Sequence, residues 1–183
     1  MRVISGKAKG KKLKAPKGKI RPLSDQAREA LFNILGSKVI DSYFLDLFAG
    51  TGAVGIEALS RGAKLSIFVE VDKKTVEIIR ENLKSTDLYD FAEVYSIDAL
   101  RAIKILGGKG AKFDIIFLGP PYDSVQIEKA MVRLAEIDIL DSRGVIIAEH
   151  RAKQEIADKY KDLHRFRDAR YGDTVLTFYR RKQ

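Results

Sequence analysis

Short apolar runs alternate with stretches of helical spacing over most of this chain. Tyr43–Phe48, Lys64–Val69, Ala92–Ser96, Phe113–Leu118 and Val145–Glu149 are brief and rich in aromatic and branched side chains, which predicts five strands. Between them, Ala53–Ser60, Lys73–Leu83, Ala99–Leu106 and Ser124–Glu136 space their apolar residues as helices do. An earlier helix opens on Ser24, a candidate N-cap, and carries the stripe Leu31, Ile34, Leu35 up to Gly36. A short helix is expected near Lys153–Tyr160. The chain then finishes on two strands, Leu163–Ala169 and Thr174–Tyr179, joined only by Arg170-Tyr171-Gly172-Asp173.

Strands alternating with helices form a mostly parallel sheet covered on both faces. The last two strands must be antiparallel, because a parallel connection needs a crossover. The expected fold is therefore α/β: a seven-stranded, mostly parallel sheet with an antiparallel C-terminal strand. That is the Rossmann-like layout of class I S-adenosylmethionine (SAM)-dependent methyltransferases. With 183 residues there is room for one well-buried domain, residues 23–183, and a short arm, residues 1–22.

Charge changes the picture of the arm. Residues 1–22 hold Arg2, Lys7, Lys9, Lys11, Lys12, Lys14, Lys17, Lys19 and Arg21 and no acid, which accounts for the whole net charge of +9. A second basic cluster, Arg165, Arg167, Arg170, Arg180, Arg181 and Lys182, lies near the C-terminus. Concentrated basic charge suits a polyanion, since each phosphate contact releases counterions, although a solvated tail would look the same. Val3-Ile4, Leu13 and Ile20, set among glycines, suggest a hairpin packed on the domain rather than a loose tail. The absence of cysteine excludes disulfides and thiolate chemistry, and two histidines are too few for a histidine-rich metal site, so no metal is expected. No apolar run approaches the ~20 residues of a membrane span, and the first residues lack a signal-peptide core; the protein is expected to be cytoplasmic.

Candidate chemistry gathers at predicted strand ends. Asp46-Leu-Phe48-Ala-Gly50-Thr-Gly52-Ala-Val-Gly55 runs from a strand into a helix, the setting in which a glycine loop approaches a nucleotide. The loop alone leaves nicotinamide binding open. Asp46 is awkward beside a pyrophosphate but suits a ligand carrying an ammonium and a sulfonium, as SAM does. Glu70, with Val71 after it, ends the next strand and can accept both ribose hydroxyls. Asp98, with Ala99, ends the third, where methyltransferases commonly bind the adenine amino group; capping of the following helix is the equal alternative. These residues form the expected SAM site.

The fourth strand runs into Gly119-Pro120-Pro121-Tyr122. This is similar to the Asp/Asn-Pro-Pro-Tyr/Phe loop of enzymes that methylate exocyclic or amide nitrogens. There the carboxylate or amide and a backbone carbonyl accept hydrogen bonds from the amino group, and the aromatic stacks on the base. Glycine at 119 removes one acceptor, worth about 1.5–3 kcal/mol. The expectation is a site that holds a base but transfers methyl weakly, and that Gly119→Asp speeds it.

Arg2-Val-Ile-Ser-Gly6, Arg21-Pro-Leu-Ser-Asp-Gln-Ala-Arg-Glu-Ala-Leu-Phe-Asn33, Asp46–Gly52, Phe68-Val-Glu70, Gly119–Tyr122, Glu149-His150 and Arg170-Tyr-Gly-Asp173 together resemble the RsmD family of bacterial 16S rRNA guanine-N2 methyltransferases. The resemblance spans nearly the whole chain. It implies methylation of one guanine, the family's guanine-966, on 16S rRNA within the small subunit or an assembly intermediate. It gives the arm an RNA-gripping task, shared by Arg2, Lys7, Lys9, Lys11, Lys12, Arg21, Arg28 and Arg170, and puts Arg21, Ser24 and Arg28 near the cleft. A monomer is expected. Competing readings are a DNA-adenine or protein-glutamine N-methyltransferase, a SAM- and RNA-binding protein without catalysis, and an NAD oxidoreductase, which Asp46 and the Pro-Pro-Tyr loop disfavour.

Overall fold

A computed structural model describes residues 1–16, 22–121 and 125–182. Arg21 and Tyr122, both expected site residues, and the Ser124 start of the predicted fifth helix lie outside them. In chain order the elements are α1 (Asp25–Leu35), β1 (Tyr43–Leu47), α2 (Ala53–Ser60), β2 (Leu65–Val69), α3 (Lys73–Ser85) and β3 (Ala92–Tyr95). They continue with α4 (Ala99–Gly108), β4 (Phe113–Leu118), α5 (Gln126–Glu136), β5 (Leu140–Arg151), β6 (Lys159–Tyr160), β7 (Leu163–Tyr171) and β8 (Thr174–Arg181). Ser24 caps α1 by accepting a hydrogen bond from the Ala27 amide, and Asp72 and Asp98 cap α3 and α4 in the same way.

The sheet order is β3-β2-β1-β4-β5-β8-β7-β6. The first five strands are parallel, and β8 enters antiparallel between β5 and β7. The expected strand count of seven is corrected to eight. The extra strand, β6, falls in the stretch Lys153–Tyr160 expected to be a helix, and no helix forms there. Ile156 and Tyr160 sit four apart, as on a helix face, but tertiary burial overrides that local signal. Tyr160 packs edge-on against Tyr179 at 5.7 Å between centroids and donates a 2.5 Å hydrogen bond to Glu128. Lys161, at φ +51°, then turns β6 back into β7.

Alternation along the strands divides the core in two. Phe44, Phe68, Ile115, Phe117, Val145 and Ile147 face α1, α2 and α3. Leu45, Leu47, Ile67, Ile116, Leu118 and Ile146 face α4 and α5. The arm belongs to the first layer. Val3, Ala8 and Leu13 are buried in it, and Arg2 bridges Lys12 in antiparallel fashion. Helix α2 provides the dock: the Glu57 carboxylate accepts from the Ile4 and Ser5 amides at 2.8 and 3.0 Å, and Ser60 accepts from Lys7 and Ala8. Gly6 passes so close that a Cβ there would lie 1.8 Å from the Ser60 carbonyl oxygen, and its φ of +80° suits only glycine.

Candidate active site at the carboxyl edge of the sheet

Because β1 to β5 run parallel, Leu47, Val69, Tyr95, Leu118 and the end of β5 leave the sheet along one edge, the place where open α/β sheets bind ligands. Asp46, one residue short of the end of β1, is fully buried and accepts a 2.9 Å hydrogen bond from the Gly55 amide. Burial raises its pKa from 3.8 to about 7; the Gly55 bond opposes this, and Glu70 and Glu149 add repulsion. An acid held in such surroundings is suited to meet a cation. Phe48 follows in the left-handed region at φ +64°, uncommon for an aromatic and a kind of strain that gathers at ligand sites. Gly52, at φ +77°, then opens α2.

Glu70 is drawn into the same loop. Its two carboxylate oxygens accept from the Gly50 amide at 2.9 Å and the Asp72 amide at 3.0 Å, which fixes the carboxylate at the end of β2. Val71 beside it is 68% exposed, an apolar side chain open at the edge. Asp98 accepts from the Leu100 and Arg101 amides through a single oxygen, while Ala99 is buried at the start of α4. The structure thus brings Asp46, Phe48, Gly50, Gly52, Glu70, Val71, Asp98 and Ala99 to successive strand ends. Their chemistry fits SAM: a desolvated carboxylate for its cationic part, and a backbone-anchored carboxylate for a ribose diol. A separate open cavity of about 690 Å³ lies by the strand starts Tyr43, Leu65 and Phe113 and holds none of the site residues expected from the sequence.

The Gly119-Pro120-Pro121 segment leaves β4 next to β1, the Gly119 amide donating to the Leu47 carbonyl at 3.3 Å. Pro120 is buried and Pro121 exposed. On the neighbouring strand stands Glu149, 6% exposed, on the same face as Asp46 and Gly119. In the sequence Glu149 stands out only through the family resemblance. Its proximity to Gly119 depends on the β4–β5 register, which no local pattern announces.

The expected basic residues within the described segments differ in exposure. Arg2, Lys7, Lys9 and Lys12 of the arm are exposed, as is Arg170 at the β7–β8 turn, which lies beside the end of β5. Lys11 is half-buried and pairs with Asp87. Arg28 is corrected: its side chain is completely buried and cannot reach an RNA. Its guanidinium donates to the Arg2 carbonyl at 2.6 Å and to Asp25 at 3.0 Å, and lies 3.7 Å from Glu57. Burial lowers its pKa against the pull of those two acids. It is an anchor for the arm. Glu57 and Asn82 share that task, and no local signal in the sequence marks either of them. Asn82 donates to the carbonyls of Lys14 and Thr51, tying the arm to the glycine loop.

Eight strands in this order, with three acids and a glycine loop at the carboxyl edge, define a class I SAM-dependent methyltransferase fold. A family model described as "Conserved hypothetical protein 95" matches residues 1–180, and the chain belongs to that family, the RsmD family. It is 39% identical over the whole of both chains to a Bacillus subtilis protein named "Putative rRNA methyltransferase YlbH". It is 30% identical over 183 residues to "Ribosomal RNA small subunit methyltransferase D" of Escherichia coli, covering all of this chain and 90% of the other. A solved structure named "Putative methyltransferase yhhF from Escherichia coli" superposes with a TM-score of 0.88 at 30% identity, covering 100% of this chain and 98% of that one.

Proposed function

We propose that the protein transfers a methyl group from SAM to the exocyclic N2 of a guanine in small-subunit rRNA, the family's guanine-966. The observation that carries the reading is one of placement. The acids suited to SAM and the Pro-Pro loop suited to an amino acceptor leave adjacent strands at one edge, with a basic arm docked beside the glycine loop. When bound, SAM supplies an electrophilic methyl group on a sulfonium. Asp46 would face its cationic part, Glu70 its ribose and Asp98 its adenine. A backbone carbonyl of Gly119 or Pro120 would accept one hydrogen bond from the guanine amino group and help hold its lone pair toward the methyl. By the motif, Tyr122 would stack on the flipped-out base.

The arm residues Arg2, Lys7, Lys9, Lys11 and Lys12, with Arg21 and Arg170, would grip phosphates flanking that base. Names of relatives that specify ribosomal RNA support this choice of polymer. Among the described residues, no helix is long and apolar enough to cross a membrane, and no cluster of potential metal ligands occurs. The test is to incubate the protein with labelled SAM and small subunits lacking the modification, then map the label. Label on guanine N2 supports the reading. SAM binding without transfer would instead favour an RNA-binding protein that has lost catalysis.

A further inference from the structure

The acceptor loop lacks the side chain that its motif places first, yet the volume that side chain would enter is occupied. A Cβ built on Gly119 would lie 2.8 Å from the Phe117 ring and 3.2 Å from Oε2 of Glu149. Strands β4 and β5 are in register with Leu118 beside Ala148, so the next step puts Gly119 beside Glu149. Alternation turns Glu149 to the face of Val145 and Ile147, which is also the face of Asp46. Its charge is felt at Asp46 across the intervening strand. A carboxylate oxygen therefore stands beside the point where an aspartate or asparagine at 119 would begin, 3.2 Å from its Cβ, held on a central strand rather than on a loop. Groups carried by regular strands are positioned more closely than groups on loops.

We propose that Glu149 is a catalytic residue of the acceptor site: its carboxylate accepts the hydrogen bond from the guanine amino group that the motif otherwise assigns to residue 119. The inference rests on the proposed reaction. As the N2–methyl bond forms and the sulfonium–methyl bond breaks, one amino proton must leave. A carboxylate against that N–H stabilises the charge developing on nitrogen before the proton passes to solvent. Glycine at 119 is then the complement of Glu149 and not a lesion, because a side chain there would press on the Phe117 ring at 2.8 Å and crowd the carboxylate at 3.2 Å. The expectation that Gly119→Asp speeds transfer is reversed.

Single-turnover methylation of unmodified small subunits, with S-adenosylhomocysteine binding measured alongside, tests the assignment. Glu149→Ala is expected to slow the methyl-transfer step on the order of 10- to 100-fold, the loss of one charge-assisted hydrogen bond. Its affinity for S-adenosylhomocysteine should stay within about threefold of wild type. Glu149→Gln keeps the size and one acceptor oxygen and should fall between the two, which a purely structural role would not produce. Gly119→Asp with Glu149 in place should be slower than wild type. Glu149→Gln or Glu149→Ala transferring at the wild-type rate, or Gly119→Asp transferring faster, overturns the assignment while leaving the reaction intact. Wild-type protein that labels no guanine overturns both.

Discussion

A carboxylate near the end of a buried parallel strand has little water with which to share its charge, and Asp46 is in that position with two more acids nearby. Its raised pKa, about 7, has a definite consequence for stability. The unliganded fold holds this proton more tightly than the unfolded chain. The contribution is therefore fully present below about pH 4 and is lost as pH rises through 7. Asp46→Asn cannot ionise and can still accept from Gly55. In the absence of cofactor it should melt at least about 5 °C higher than wild type at pH 8.5. Its affinity for SAM should drop on the order of 10-fold or more for want of the charge. A variant melting no higher at pH 8.5 would contradict the buried-acid account. Asp46, Glu70 and Asp98 were legible as residues because strand ends are visible in the apolar pattern. Arg28 was not, since nothing local distinguishes an arginine on a surface from one held under an arm by Glu57.

At the scale of elements, the arm's attachment is decided by α2. Glu57 is buried, accepts two arm amides, and pairs with Arg61 at 2.8 Å as well as lying close to Arg28. Glu57→Ala would leave the buried Arg28 guanidinium with Asp25 as its remaining acid and two arm amides without their acceptor, at a cost of about 3–5 kcal/mol. Thermal melting should register that loss, and amide exchange should rise at Ile4 and Ser5 before it rises in β1. Uniform exchange along the chain would show instead that the arm and α2 do not form one unit. The alternating strands and helices could be read because each period is local. The β6 turn could not, because Ile156 and Tyr160 imitate a helix face and only contact with α5 and β8 settles Tyr160 into a strand pair. The arm's hairpin was legible from its glycines and apolar residues; the polar dock on α2 was hidden inside an otherwise apolar helix.

For the whole molecule, the balance of charge has a measurable signature. The exposed arm cations Arg2, Lys7, Lys9 and Lys12 are not among the residues proposed to hold the cofactor. Replacing all four by alanine should weaken rRNA binding and flatten its dependence on salt, by roughly 0.7–0.9 in the log–log slope for each phosphate no longer neutralised. Affinity for S-adenosylhomocysteine should not move; an unchanged salt slope would remove the arm from the RNA interface. The same division appears in what the fold makes legible. The cofactor edge follows from strand order, whereas the acceptor site depends on the β4–β5 register and on Glu149 across it. Methyl transfer to a guanine amino group is met most directly by mapping label from SAM on small subunits that lack the modification. The predicted result is one labelled guanine, at N2, with the label lost or strongly slowed in Glu149→Ala. Label on another base, or none from a wild-type protein that binds SAM, would contradict it.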